Sequence, residues 1–205
     1  MVRRGRLRSE DRQALAQDPE GSGARLAGER TLGRQGLGPL RVRRARPGDA
    51  AAIARMANAL NRYEGRNPRL FTPAVVRRDA FGRRRAFRVL IAEVDGRVVG
   101  YASFLPGYTT DLAAHELWLL DLFVLPEWRS RGTGRALVTA VARETVRRGF
   151  RCLEWGVRGS NTRARRFYDR LGAGISSTRI ATLQGRALVT LADRGRLARR
   201  PTRRR

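Results

Sequence analysis

The sequence holds one cysteine, Cys152, and one histidine, His115, among its 205 residues. A single cysteine excludes an internal disulfide and a metal site built from several thiolates, and a single histidine excludes a multi-histidine site. No run of about 18 apolar residues is present, and no apolar stretch follows the N-terminal arginines, so neither a membrane span nor a secretory signal is predicted. We therefore expect no metal and a cytoplasmic location.

Lysine is absent, and all 44 basic residues are arginine, against 18 acidic residues. Such complete replacement indicates a compositional bias toward arginine, which weakens the basic charge as an argument for a nucleic-acid partner. Residues 45–192 alone carry 26 arginines and 12 acids, a net charge of +14. A basic body attracts anionic ligands, and it also binds nucleic acid weakly and in a salt-dependent way.

Sustained periodicity is missing at both ends of the chain. Residues 1–38 mix arginine, glycine, serine and acids, a composition typical of disorder, and we predict a basic disordered extension there. A targeting presequence or a misplaced start codon are the alternatives. Residues 39–192 are predicted to form one domain, and residues 193–205 a basic disordered tail.

The most informative stretch joins a strand to a helix. Leu119–Val124 is nearly continuous in apolar residues and predicts a central strand that stops at Pro126. From Arg135 the apolar residues recur at helical spacing. Between them lies the loop Arg129–Gly134. Its glycines allow close backbone approach, and the free N–H groups of a helix start attract anions, so the loop suits a pyrophosphate. The alternative is a sharp turn that needs two glycines.

The remaining pattern predicts a mixed sheet, mostly antiparallel, flanked by about four helices, an α/β fold. Helices are predicted after Asp49, from Pro73 to about Phe81, and from Asn161 to a stop at Gly172. The predicted strands are Leu40–Arg43, Phe87–Val94, Val98–Leu105, Cys152–Val157, Ile175–Leu183 and Ala187–Leu191, the last two as a closing hairpin.

This order of strand, R-x-x-G-x-G loop, helix, strand and N-x-x-A-x-x-F-Y helix resembles the GCN5-related N-acetyltransferase (GNAT) family, within it the diamine acetyltransferase type. The resemblance covers roughly residues 41–192 and is strong from Asp121 to Ala173. It implies the GNAT fold and an enzyme that moves an acetyl group from acetyl-CoA to a small primary amine by direct attack in a ternary complex. It also implies a homodimer and no metal.

The resemblance further implies particular site residues. Backbone groups of Leu122, Phe123 and Val124 would bind the thioester and pantetheine. Asn161 would contact the cofactor, with a plain helix N-cap as the alternative. Tyr168 would bind the cofactor and act as general acid, with a packed interior tyrosine as the alternative. The pyrophosphate would lie on Arg129, Ser130, Arg131, Gly132, Thr133, Gly134 and Arg135.

The general base is where the sequence departs from the family. Relatives carry glutamate at the positions of Leu120 or Trp118, and neither residue is acidic here. Glu116, acting through water, and Asp121, positioning a substrate cation, are the candidate catalytic acids. Strand alternation predicts Glu116 on the same face as Leu120 and Asp121 on the other. His115 is a weaker candidate base.

Two other functions stay open from the sequence. One is a non-catalytic acyl-CoA-binding module that retains the loop. The other is an RNA- or ribosome-associated protein that uses the arginine-rich termini for weak nucleic-acid binding. The sequence does not name the acceptor amine, although the basic body argues against a polycationic one.

Overall fold

Five strands form one sheet, in the order in which they occur along the chain. The computed structural model describes residues 38–178 and 180–197. The first four strands pair antiparallel and the last pairs parallel to its neighbour, which confirms the mixed, mostly antiparallel sheet. The strands are β1 (Arg41–Arg44), β2 (Arg88–Val94), β3 (Arg97–Thr109), β4 (Ala114–Val124) and β5 (Cys152–Trp155).

Helices cover both faces of this sheet. They are α1 (Ala50–Tyr63), α2 (Pro73–Val76, continued by a wider turn over Arg77–Phe81), α3 (Thr133–Arg147), α4 (Thr162–Asp169) and α5 (Gly185–Leu197). Thr72 caps α2 as predicted, because its hydroxyl accepts a hydrogen bond from Val75 N at 3.2 Å. Among the described residues, no helix is both long and apolar enough to span a bilayer.

The core consists of two apolar layers, one on each side of the sheet. On one side α1 and α2 pack on β2 and β3 through Ile53, Val76 and Ile91. On the other side α3 packs on β3 and β4 through Leu137 and Leu119. The two layers therefore fix which face of β4 each side chain occupies.

The Asp95-Gly96 turn joins β2 to β3 as predicted. Asp95 has φ 48° and Gly96 has φ 73°. Two consecutive positive φ values match the right-handed twist of a two-residue hairpin. This hairpin places β3 at the centre of the sheet, next to β4.

A bulge in β4 corrects the predicted alternation. Ser103 pairs with Asp121 and the next residue, Phe104, pairs with Leu119, so Leu120 is an extra residue. The side chains of Asp121 and Glu116 therefore lie on the same face, the one covered by α1 and α2. The prediction that they lie on opposite faces is wrong. β4 also begins at Ala114, earlier than predicted.

The predicted closing hairpin is also wrong. Residues 173–178 and 180–184 have no regular secondary structure, and the second predicted strand, Ala187–Leu191, lies within α5. Its short apolar run suits either structure, since Leu188 and Leu191 are also one helical turn apart. The predicted boundary at residue 193 falls inside this helix.

Candidate active site

The candidate site begins where β4 and β5 separate. Their parallel pairing ends at Leu119 and Trp155, the last residue of β5. β4 continues to Val124 with a partner on its β3 side alone among the described residues. The wedge between the two strands leaves one edge of β4 open for hydrogen bonding.

Two residues at this open edge present their backbone groups. Leu125 N donates to Val99 O on β3 at 3.0 Å. Because alternate residues of a strand direct their N–H and C=O groups to opposite edges, Phe123 also faces β3, whereas Leu122 and Val124 face the wedge. Of the three predicted backbone contacts, two are therefore directed into the opening.

The loop before α3 lies at the end of that edge. Gly132 has φ 83° and precedes the first residue of α3, and Ser130 also has a positive φ, 60°. No side chain caps this helix start. The first-turn N–H groups of Thr133, Gly134 and Arg135 are consequently available to an anion.

The loop side chains mainly brace the loop itself. Arg129 Nε donates to Val124 O at 2.9 Å, and its guanidinium lies 5.6 Å from the centre of the Phe123 ring. Thr133 Oγ1 donates to Trp128 O at 3.2 Å. The Arg131 guanidinium lies 5.4 Å from the centre of the Trp128 ring. Backbone N–H groups are thus the main anion donors of this loop.

Asn161 and Tyr168 belong to the segment that follows β5, Asn161 directly before α4 and Tyr168 within it. Asn161 Oδ1 accepts a hydrogen bond from Ala164 N at 3.1 Å, so this side chain is an N-cap. Tyr168 is 8 % exposed, and its ring centre lies 4.9 Å from that of Trp155. Burial raises the pKa of Tyr168 to about 12, and its hydroxyl finds no hydrogen-bond partner among the described residues. It is therefore a protonated phenol without a bound acceptor.

Asp121 lies on the α1 side of the sheet, next to the wedge. Tyr101 Oη and Ser103 Oγ donate to Asp121 Oδ2 at 3.1 and 3.2 Å. Burial raises the pKa of Asp121, and the two hydrogen bonds oppose that shift in part. The network holds the carboxyl in one orientation beside the residues that face the cofactor opening.

Glu116 lies farther along β4 on the same face. It is 7 % exposed, and its Oε2 is buried without a hydrogen-bond partner in the described part of the chain. Burial, together with the nearby Glu154 carboxylate, raises the pKa of Glu116. Glu116 and Asp121 are about 13–16 Å apart along the strand, because each residue advances it by about 3.3 Å. One amine cannot contact both acids.

His115 points away from this face. Its ring stacks on Phe150 with 5.3 Å between ring centres and meets Tyr108 edge-on at 5.4 Å. Strand alternation therefore separates it from Glu116 and Asp121.

The sequence reasoning missed Tyr101 and Ser103, which orient Asp121. The sequence gives little indication of their role, because a tyrosine and a serine are common in apolar strands. Their contact with Asp121 becomes evident only when the pairing of β3 with β4 is known. The bulge at Leu120 was also missed, because one polar residue, Asp121, in an apolar run does not indicate a bulge.

A family model described as acetyltransferase (GNAT) family matches residues 53–173, more than half of the chain. The matched region contains most of α1, β2 to β5, the loop before α3, and α4.

Curated relatives with assigned activities also match this chain. Thialysine N-epsilon-acetyltransferase of Bos taurus is 30 % identical over 141 residues, which cover 64 % of this chain and 82 % of the relative. L-ornithine N5-acetyltransferase NATA1 of Arabidopsis thaliana is 36 % identical over 92 residues, which cover 44 % of this chain and 40 % of the relative. A solved aminoglycoside N-acetyltransferase in complex with CoA has a TM-score of 0.60 at 20 % identity, covering 76 % of this chain and 99 % of that one.

Proposed function

The chain belongs to the acetyltransferase (GNAT) family and is an N-acetyltransferase, and we propose that a small primary amine attacks acetyl-CoA directly in the wedge between β4 and β5. One observation carries this proposal: the open edge of β4 ends at an uncapped helix start. The edge suits an amide-containing chain, and the helix start suits its pyrophosphate. Acetyl-CoA has both groups.

The cofactor-binding residues follow from that placement. The N–H groups of Leu122 and Val124 face the wedge, so they would bind the pantetheine and the thioester oxygen, where negative charge develops. Phe123 would contribute its ring, which lies beneath Arg129. The N–H groups from Gly132 to Arg135 would bind the pyrophosphate. Arg129, Ser130 and Arg131 shape the loop, and the two arginines add positive charge.

Asp121 is the carboxyl that we assign to the acceptor amine. It lies one residue from Leu122, on the face that carries α1, and Tyr101 and Ser103 fix its orientation. Its free Oδ1 would bind the arriving ammonium group and accept its proton, directly or through water. Glu116 is too far along β4 to contact the same nitrogen.

Tyr168 is the group that we assign to the departing thiolate. As the bond between the carbonyl carbon and sulfur breaks, the sulfur takes up the phenolic proton. The amine nitrogen keeps the acetyl group and releases its remaining extra proton, which restores the phenol through water. The phenol stays protonated at neutral pH because burial raises its pKa to about 12. Its hydroxyl is also not engaged elsewhere in the described part of the chain.

The acceptor class rests on the relatives. The relatives named above act on thialysine and ornithine, which are small amines. We extend that class to this chain. A homodimer, a cytoplasmic location and weak nucleic-acid binding through the arginine-rich termini stay predictions. A non-catalytic acyl-CoA-binding module is not favoured, since the named relatives are enzymes.

A panel of amines tests this proposal. Each amine is incubated with acetyl-CoA and the enzyme, and release of free CoA thiol is measured together with the mass of the product. We expect the mass of a small primary amine to increase by about 42 Da, because an acetyl group replaces one hydrogen. The rate of thiol release should depend on the concentrations of both acetyl-CoA and the amine. Binding of acetyl-CoA without turnover on any primary amine would contradict the proposal.

A further inference from the structure

Three potential metal ligands meet at the closed end of the β4–β5 pair. One ligand atom each from Glu116, Cys152 and Glu154 lies within 4.8 Å of the other two. The parallel register places Glu116 beside Cys152, and Glu154 is two residues along β5 on the same face. Cys152 Sγ lies 3.5 Å from Glu154 Oε1. These residues are separate from the cofactor opening at the other end of the pair.

Glu116 is built into this cluster. Its side chain is more than nine-tenths buried, and Oε2 has no hydrogen-bond partner among the described residues. A buried carboxylate oxygen without a partner costs free energy unless something satisfies it. A Cβ at Gly107 on the neighbouring strand would lie 2.9 Å from Glu116 Oε1. The glycine therefore makes the space that the carboxyl occupies.

Among the described residues, no basic side chain pairs with this cluster. Six acidic side chains in the described region make ion pairs with arginine: Asp49, Glu64, Asp79, Glu93, Glu127 and Glu144. In that same region neither Glu116 nor Glu154 pairs with an arginine. These two neighbouring carboxylates are therefore available to another cation.

We propose that Glu116, Cys152 and Glu154 bind one zinc ion. The set combines a thiolate, which favours zinc over calcium or magnesium, with two carboxylate oxygens, and it leaves the fourth tetrahedral position to water. Zinc ligands of this kind lie about 3.4–3.6 Å from one another, given bond lengths of about 2.1–2.3 Å. All three ligand atoms already lie within 4.8 Å of one another, so side-chain shifts of about 1 Å bring the cluster to that spacing.

This site is independent of the acetyl transfer assigned above. Glu116 is three residues before Leu119, where β4 and β5 part, which is about 10 Å along the strand. The metal would join two strands and neutralise the buried carboxylate. It would not contact Asp121 or the loop before α3, so acetylation and metal binding can succeed or fail separately.

Cobalt substitution tests the proposal with an optical signal that does not depend on activity. We titrate the full-length, metal-free enzyme with Co²⁺ under reducing conditions and record its spectrum, then displace Co²⁺ with Zn²⁺. We expect the near-ultraviolet charge-transfer band of a cobalt–thiolate bond, saturating at one equivalent and abolished by Zn²⁺. Cys152→Ser should remove the band, and Glu116→Gln and Glu154→Gln should each weaken Co²⁺ binding by about tenfold or more.

Glu127→Gln is the matched control, since this acid is exposed and pairs with Arg97. It should leave the titration unchanged. Acetyl-CoA affinity of Cys152→Ser and Glu154→Gln reports whether those variants are folded. The proposal is overturned if no band forms with excess Co²⁺, or if the band persists in Cys152→Ser. It is equally overturned if Glu116 proves to bind a cationic amine while Zn²⁺ does not bind.

Discussion

At the scale of single residues, Tyr168 has two properties that the sequence could not separate. It packs between Trp155 and Phe167, as an interior tyrosine would, with 4.9 and 5.2 Å between ring centres. Its hydroxyl is nevertheless without a partner in the described region, and its ring contacts Trp155, the last residue of β5. The ring therefore fits the interpretation as a packed interior tyrosine, and the hydroxyl fits the interpretation as a general acid.

Tyr168→Phe should lower kcat by about a hundredfold, because the ring remains and the acid is removed. The melting temperature and acetyl-CoA affinity should change little, since no hydrogen bond of the hydroxyl is lost. Steady-state kinetics and thermal unfolding check this. Tyr108→Phe, at an exposed tyrosine, is the control. A lower melting temperature with full kcat would show that Tyr168 serves packing alone.

Asp121→Asn should lower kcat/KM by about a hundredfold and raise stability near pH 7. Burial raises the pKa of Asp121 in the folded protein, so the folded state favours the neutral form. The stability that this group contributes is complete below about pH 4, the unfolded pKa, and is lost as pH rises through the folded pKa. The gain from asparagine should therefore disappear at acidic pH.

Thermal unfolding at several pH values, together with kinetics, measures both effects. Glu127→Gln removes an exposed carboxyl and should change neither. Full activity in Asp121→Asn would exclude this carboxyl as the group that receives the amine.

At the scale of elements, the loop before α3 combines backbone shape with chemistry. Gly132 adopts the left-handed conformation, and a Cβ there would meet no atom within 4 Å. Glycine is needed here because the backbone has a positive φ and because a ligand must approach closely. Steric crowding inside the protein is not the reason. That combination is expected of an anion-binding helix start.

Gly132→Val should weaken acetyl-CoA binding by at least about tenfold, or about 1.4 kcal/mol. Valine disfavours a positive φ, and its branched side chain would cover the free N–H groups. Gly149→Val is the matched control, since Gly149 has φ 70° with open space around it at the other end of α3. Calorimetry should show weaker binding in the first variant only. Equal losses in both would indicate general strain of α3.

At the scale of the whole molecule, the positive charge should act mainly on the cofactor. Raising the salt concentration from about 0.05 to about 0.5 M shortens the Debye length from roughly 14 to 4 Å, which screens the attraction between the basic body and an anion. KM for acetyl-CoA should rise several-fold. S-acetylpantetheine, which lacks the pyrophosphate, should show no such rise in KM. Equal salt dependence for both donors would contradict electrostatic capture of the pyrophosphate.

Removal of residues 1–37 should leave acetyl-CoA affinity and melting temperature nearly unchanged. The unit that contains the sheet begins at Gly38, and the predicted extension, residues 1–38, lies outside the described residues except for Gly38. Calorimetry and thermal unfolding of the truncated protein check this. A large loss of either would show that the segment packs on the catalytic domain.

The sequence by itself determined the local features of this protein. Turn and cap residues such as Asp95-Gly96 and Thr72-Pro73 act over a few bonds, and the R-x-x-G-x-G loop is a contiguous motif, so their structures follow from neighbouring residues. Only the tertiary structure decided how distant residues meet. Strand pairing inserts Leu120 as a bulge and turns Asp121 toward Tyr101 and Ser103.

Tertiary structure also decided the cluster of Glu116, Cys152 and Glu154 and the conformation of the run Ala187–Leu191. Counting one cysteine and one histidine excluded familiar metal sites, yet the register of β4 and β5 brings two carboxylates to that cysteine. The run Ala187–Leu191 suited a strand or a helix equally, and long-range pairing, which no local pattern encodes, was needed to choose. Register and pairing depend on contacts across the fold, and they therefore lie beyond what local sequence determines.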